Sequence, residues 1–293
     1  SKKGNILFLK YDRNLKLKWA TQAGSDTLSF PMKLEYSYGH LYFNCIGRDT
    51  ARFGTKTYIL YFGNLIGEIH PTTGKIMWSS LVTTDIGPNI TGIVNMQGNV
   101  VISGFGDQYQ YFRIWKDTAF GGGGFIAMAD SVGNFKKLFN FHNDKTILLQ
   151  SMATDGEYIY FGGSFQDTML WGGKKIKPGS TLKSGLQPFE MYAACVDKDL
   201  NPQWFFRPEI LEGGTRNIVM DVTTSRGFAY FGAILGAKKI RIDSLEIVNS
   251  SNRDAMIFKA DFLGNILWAT HGGVTSSSNI NLTSITATEG KAI

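Results

Sequence analysis

One phrase recurs along this chain and limits what it can fold into. It joins an apolar strand, a turn and a second strand that carries tryptophan. The copies read "FLKYDRNLKLKW" ending at Trp19, "GEIHPTTGKIMW" at Trp78, "FIAMADSVGNFKK" at Lys137, "AACVDKDLNPQW" at Trp204 and "IFKADFLGNILW" at Trp268. Their last residues are 59, 59, 67 and 64 apart. A second phrase keeps the same beat: "GHLYFNCIG" from Gly39, "GNVVISGFG" from Gly98, "GEYIYFGGSF" from Gly156, "GFAYFGAIL" from Gly227 and a short "GKAI" from Gly290. Two markers alternating at a fixed period are the signature of a repeat architecture.

Each phrase has a local physical reading. Asp12, Asp130, Asp197 and Asp261 precede turns, where a short carboxylate can accept backbone N–H bonds from residues just ahead. Gly133 and Gly264, each followed by Asn, suit the left-handed conformation that closes a short hairpin. The strands are rich in aromatic and β-branched residues. No long segment shows a 3.6-residue period, and the best helical candidate, "RPEILEGG", is ended by its own glycines. Trp19, Trp78, Trp204 and Trp268 share one phase and are expected to be structural, filling the space between neighbouring sheets.

The expectation is an all-β chain with about four strands per repeat. Four short strands cannot bury both faces alone, but sheets stacked about an axis can. That predicts a single β-propeller domain over 1–293 of about five four-stranded blades: 23–82, 83–142, 143–208, 209–279, and a composite closing blade of 1–22 with 280–293. The alternative is a fragment of a six- to eight-bladed propeller, because "GKAI" is short beside its counterparts.

Thirty-four glycines against 7 prolines fit many tight turns, and no apolar run has the length of a membrane-spanning helix. The net charge of +6 leans toward anionic partners without the basic density of a nucleic-acid binder. Cys45 and Cys195 lie in apolar strands and read as separate buried thiols.

Catalytic and metal signals are weak. His40, His70, His142 and His271 fall at different phases and show no zinc spacing. There is no G-x-S-x-G, and the glycine-rich stretches do not join a strand to a helix. The Thr-Gly of "GEIHPTTGKIMW" is similar to a phrase of quinone-cofactor propellers, but it occurs in one copy only, so no cofactor is expected. Asp107 and the Asp197–Asp199 pair offer oxygens for a structural calcium without regular loop spacing. One constellation stands out. "GGKKIK" places Lys174, Lys175 and Lys177, and "GAKKIR" places Lys238, Lys239 and Arg241, at one phase of successive repeats, with Lys56 at a comparable point. Such cations would form an arc on one face. Trp171, Tyr109, Tyr111, Phe112 and Trp115 could add stacking surfaces beside it.

The run "GEYIYFGGSFQDT…WGGKK…CVDKDLNPQW", with "GFAYFG…GAKKIRI…DAMIFKADFLGNILWATHGG", resembles the bacterial SBBP-type β-propeller repeat. That family's repeats run glycine–strand–"GSF", an "FGG"-like turn, an Asp-aromatic strand and "D..GN..W". The chain departs from it at Lys137, at Pro71 in the aspartate's place, and at Asn201-Pro202 in place of Gly-Asn. The resemblance implies a secreted or cell-surface protein, often part of a larger multidomain chain, without assigned catalytic residues. The expected function is a non-catalytic platform that binds a protein or an anionic glycan outside the cytoplasm, extracellular or periplasmic, with no nucleic-acid partner. The alternatives are a glycan-active enzyme with axial carboxylates and a structural spacer in a larger surface or virion assembly.

Overall fold

The computed structural model describes residues 4–82, 89–106, 112–114, 118–120, 123–142, 147–179, 188–214, 216–249, 251–273 and 280–292. The chain is all-β, with no helix among these residues. It divides into two compact units: residues 1–102, 109–121 and 127–138, and residues 103–108, 122–126 and 139–293.

In the first unit, β1 (Gly4–Tyr11) and β2 (Leu17–Ser25) form a hairpin, and β3 (Leu28–Ser37), β4 (His40–Phe53), β5 (Lys56–Ile69) and β6 (Ile76–Leu81) follow as an antiparallel meander. The end of β2 pairs with β4 through Gly24–Arg52 and Ser25–Ala51, so six strands share one sheet. Ile6, Phe8 and Ala23 of the hairpin cover Phe43, Cys45, Phe53, Leu65 and Ile69 of the meander. A further sheet, whose residues are divided between the two units, orders β7 (Asn89–Met96), β8 (Asn99–Gly106), β11 (Gly123–Ala129) and β12 (Phe135–His142). Short β9 (Phe112–Ile114) and β10 (Thr118–Phe120) pair with each other.

The second unit repeats the plan twice. One sheet runs β13 (Ile147–Thr154), β14 (Tyr158–Phe165), β17 (Glu190–Asp197), β18 (Pro202–Phe206). Another runs β20 (Asn217–Ser225), β21 (Phe228–Leu235), β24 (Asp254–Ala260), β25 (Ile266–Gly272). Between the second and third strands of the first lies the small hairpin β15 (Met169–Trp171) and β16 (Lys174–Ile176). In the second, β22 (Lys239–Ile242) and β23 (Leu245–Val248) are joined by β19 (Glu209–Glu212) in a three-stranded sheet. β19 is the "RPEILEGG" segment; pairing with β22 makes it a strand and overrides its local helical preference. β26 (Ala287–Thr288) and β27 (Lys291–Ala292) pair with each other.

These two sheets bury their faces against each other. Tyr160, Met191, Ala193 and Cys195 of one meet Val219, Val222, Phe231 and Phe258 of the other in a single core cluster. A Cβ on Gly162 would stand 2.5 Å from Val219, so the second strand needs a very small residue where it crosses the next sheet. The segment beyond β25 continues the pattern. Leu282 and Ile285, 63 residues after Val219 and Val222, lie against Gly232, the counterpart of Gly162.

The aspartate turns form as their chemistry predicts. Oδ1 of Asp12 accepts from the amides of Asn14 and Lys16, that of Asp130 from Val132 and Asn134, that of Asp197 from Asp199 and Asn201, and that of Asp261 from Leu263 and Asn265. Two sequence alignments are corrected. In the fourth copy it is Leu200, with φ +58°, that stands in the glycine's place, and Asn201 bonds Asp197 as Asn134 bonds Asp130. In the second copy the loop is one residue longer, and the Nδ1 of His70, not Pro71, accepts the amides of Thr72 and Thr73.

The tryptophans make one contact beyond the expected packing between sheets. Trp204 lies between Tyr160 of its own sheet and Phe231 of the next and packs on their shared core, and Trp19, Trp78 and Trp204 also reach the turn of the following repeat. Trp19 lies on Gly74, Trp78 on Gly133 and Trp204 on Gly264, all with left-handed φ, and a Cβ on these glycines would stand 2.6–2.7 Å from the ring. The indoles of Trp19 and Trp204 donate to Pro71 O and Phe262 O, while that of Trp78 donates to Glu68. Trp268 is 39% exposed and packs against Tyr230.

Candidate functional site

The strongest candidate lies in the second unit, where the extra hairpins leave the regular sheets. Each hairpin is tied at its base to a buried carboxylate. Glu190 opens β17 and Asp254 opens β24, 64 residues on, at the same phase. Neither is a surface group: Glu190 is 2% exposed and Asp254 fully buried. Glu190 accepts the amide of Gly179, just past β16, on both oxygens at 2.8 and 3.0 Å, and pairs with Arg207 at 3.3 Å. Asp254 accepts the hydroxyl of Ser251 at 2.6 Å and pairs with His271 at 3.0 Å. Arg207 and His271 are themselves 64 residues apart. Asn217, 1% exposed, completes the frame: its Oδ1 accepts the amides of Gly236 and Ala237 before β22, and its Nδ2 donates to Phe189 O. A buried carboxylate is tolerated only when such bonds replace its hydration.

The sequence missed Glu190, Asp254, Asn217 and His271 as a set. The signal is in the sequence, because acid and base recur together at the 64-residue spacing, but the turns and aromatics are the more conspicuous markers of the repeat.

The expected basic arc divides in two. Lys174, Lys175 and Lys177 are exposed, and no ion pair involves them among the described residues. Lys238, Lys239 and Arg241 are answered by acids. Lys238 lies 3.7 Å from Glu212, Lys239 2.5 Å from Glu246, and Arg241 3.4 Å from Glu209 and 3.6 Å from Glu246. The β19–β22–β23 sheet is thus a mixed-charge surface, which corrects its reading as a landing strip for anions. Lys56 donates to Ser79 O at 2.9 Å and is tied to its own sheet.

Trp171 is corrected as well. It is buried, packed edge-on against Phe139 and tilted on Phe161 and Phe205, so its faces are not open to a sugar. Tyr109, Tyr111, Trp115 and Asp107, the side chain of Phe112, and that of His142 lie outside the described residues. Asp197 has both oxygens engaged by its own turn, with Asn201 and Gln203 on Oδ2. No group of three or more His, Cys, Asp or Glu side chains is arranged to hold a metal ion among the described residues.

Asp221 is the acid of the first strands in this unit. Its Oδ1 accepts from Ser151 and its Oδ2 from Ser284 and the amide of Ile285, so it links three same-phase positions. Cys45 and Cys195 are free and buried. No long apolar helix that could cross a membrane occurs among the described residues. No protein-family model matches the chain, and no curated protein matches it.

Proposed function

We propose that the sheets are blades of a β-propeller of about five blades, and that it works as a non-catalytic binding or assembly platform in a secreted or cell-surface setting, as the resemblance to SBBP-type repeats implies. The common strand order, the face-to-face packing of the two sheets in the second unit and the continuation of phase through Leu282 and Ile285 support the blade reading. In it, β1–β2 and residues 280–292 are the outer and inner parts of one divided blade.

The observation that carries the platform reading is the pair of buried acids. Glu190 and Asp254 hold the bases of long excursions that contribute little to the sheets themselves. Loops fixed on a rigid scaffold are where binding residues concentrate. The exposed cations Lys174, Lys175 and Lys177 mark the β15–β16 hairpin as the part that meets an anionic glycan or acidic protein surface.

The test is retention on immobilised heparin, a sulfated glycan. The protein should be retained and eluted by salt, and the triple variant Lys174→Glu/Lys175→Glu/Lys177→Glu should elute at distinctly lower salt. The variant Lys238→Glu/Lys239→Glu should shift much less. Absence of retention, or equal shifts for both variants, would refute the assignment of the hairpin.

A further inference from the structure

A basic–isoleucine–basic tripeptide occurs twice in the second unit. Lys175-Ile176-Lys177 closes β16, and Lys239-Ile240-Arg241 lies within β22. Positions two apart on a strand point to the same face, so each copy presents its two cations side by side.

The two copies differ in what flanks them. β22 is the middle strand of three, with β19 on one edge and β23 on the other. On β19, Glu209 stands opposite Arg241, Ile210 opposite Ile240 and Glu212 opposite Lys239. A register shift after Ile210 brings acids three apart in the chain opposite cations two apart. Arg241 reaches Glu209 at 3.4 Å, and Glu246 of β23 answers Lys239 and Arg241 from the other side. Ile240 between them is 1% exposed. β16, by contrast, pairs with β15 alone among the described residues, and β15 offers only Met169, Leu170 and Trp171. Lys175 and Lys177 are exposed without an ion pair among the described residues, and Ile176 is half-buried.

We infer that the free edge of β16 takes an extended acidic segment of another polypeptide as an added strand, with carboxylates opposite Lys175 and Lys177 and an apolar residue opposite Ile176. The pairing of β19 with β22 is this contact made within the chain. Lysines on an edge strand turn away basic and apolar strands, and an acidic strand is the one that answers them. Backbone bonds would supply the affinity, and opposed charges would set the register. The inference rests on the reading of the β15–β16 hairpin as the binding part and narrows its partner to an acidic peptide rather than a glycan.

The probe is a capped synthetic peptide of residues 208–214, which carries Glu209 and Glu212, added to the isotope-labelled full chain. It should shift the backbone amides of β16 saturably. Lys175→Gln/Lys177→Gln should weaken binding at least tenfold. Lys174→Gln, on the opposite face of the strand, should change it less than twofold. All three side chains are exposed, so both variants should fold, and unchanged amide shifts in β17 and β24 check this. A peptide with glutamine in place of both glutamates should bind at least tenfold more weakly. One N-methylated at 209–212 keeps its charge, loses its backbone donors and should not bind. The inference is overturned if no saturable shift appears, if the shifts fall on β22 instead of β16, or if Lys174→Gln weakens binding as much as the double variant. Equal binding of the N-methylated peptide would also overturn it, by showing charge attraction without an added strand. Heparin retention that depends on the hairpin, without peptide binding, would remove this inference and leave the hairpin a glycan site. Absence of both would remove the reading of the hairpin as well.

Discussion

The indole of Trp204 lies on the backbone of Gly264, so close that a Cβ at Gly264 would stand 2.6 Å from the ring. Trp19 and Gly74 repeat the contact in the first unit, as do Trp78 and Gly133. Each joins the outermost strand of one repeat to the hairpin of the next. Gly264→Ala should therefore carry two penalties: about 1–2 kcal/mol for a left-handed backbone with a side chain, and a further ~1–3 kcal/mol for crowding against the indole. Gly227→Ala is the control. Its φ is also positive, but nothing lies within 4 Å of its added Cβ, so only the backbone penalty should appear. Urea unfolding of the two variants measures the difference. In the Trp204→Ala background the excess cost at Gly264 should disappear, and its persistence would show that the indole is not what crowds the site.

The repeat was legible because its markers are chemically distinctive. Aspartate, left-handed glycine and tryptophan sit at fixed offsets, and the turns around Asp12, Asp130, Asp197 and Asp261 form as read. What could not be read was which marker touched which. Tryptophan looks like a core residue, and it packs on the core here, but it also covers a neighbouring turn, a relation between residues about 55–60 apart in the chain. The chain holds one indirect clue: the copy that ends in Lys137 instead of tryptophan is followed by the copy whose turn has Leu200 instead of glycine. Like-for-like charge reading failed at Lys238, Lys239 and Arg241, because their acids come from β19 and β23. Strand pairing, not local sequence, brings Glu209 and Glu212 beside them.

Cys45 and Cys195 should be inert to a thiol reagent at neutral pH. Both are fully buried, and burial pushes each thiol's pKa well above the usual cysteine range, with Asp155 and Asp197 adding to the effect at Cys195. The thiolate is the reactive form. In the folded chain no thiol should be modified over a time in which urea-unfolded chain yields its 2 cysteines quantitatively. Rapid modification of folded protein would show that one of these sites opens.

Acid should loosen the aspartate turns. The Asp12 carboxylate is held below its ordinary value first by the backbone bond from Lys16, and Asp130 first by that from Asn134. At Asp261 burial acts upward, but the side-chain and backbone bonds from Asn265 outweigh it. The folded pKa is depressed in each case. The stability these groups contribute is therefore present above the unfolded value of about 3.9, and is lost as pH falls through the lower folded value. Carboxyl chemical shifts should report midpoints below those of the same residues in the unfolded chain. A midpoint at or above the unfolded value would mean that the turn bonds do not favour the ionised form.

Asp254 and Glu246 both bond basic side chains, and burial separates their consequences. Asp254 is fully buried between Ser251 and His271, whereas Glu246 shares Lys239 and Arg241 at the surface. Removing one partner of a buried pair strands the rest, and Asp254→Ala should cost about 3–5 kcal/mol. Removing an exposed partner leaves the cations to water, so Glu246→Ala should leave the unfolding midpoint essentially unmoved. The damage at Asp254 should also be local. Ser251 would keep only Arg253 O as an acceptor, and the amide of Ile280, bonded to the same carbonyl, should exchange faster. If instead Asp254→Ala were as mild as Glu246→Ala, the carboxylate would not be what fastens the base of this loop.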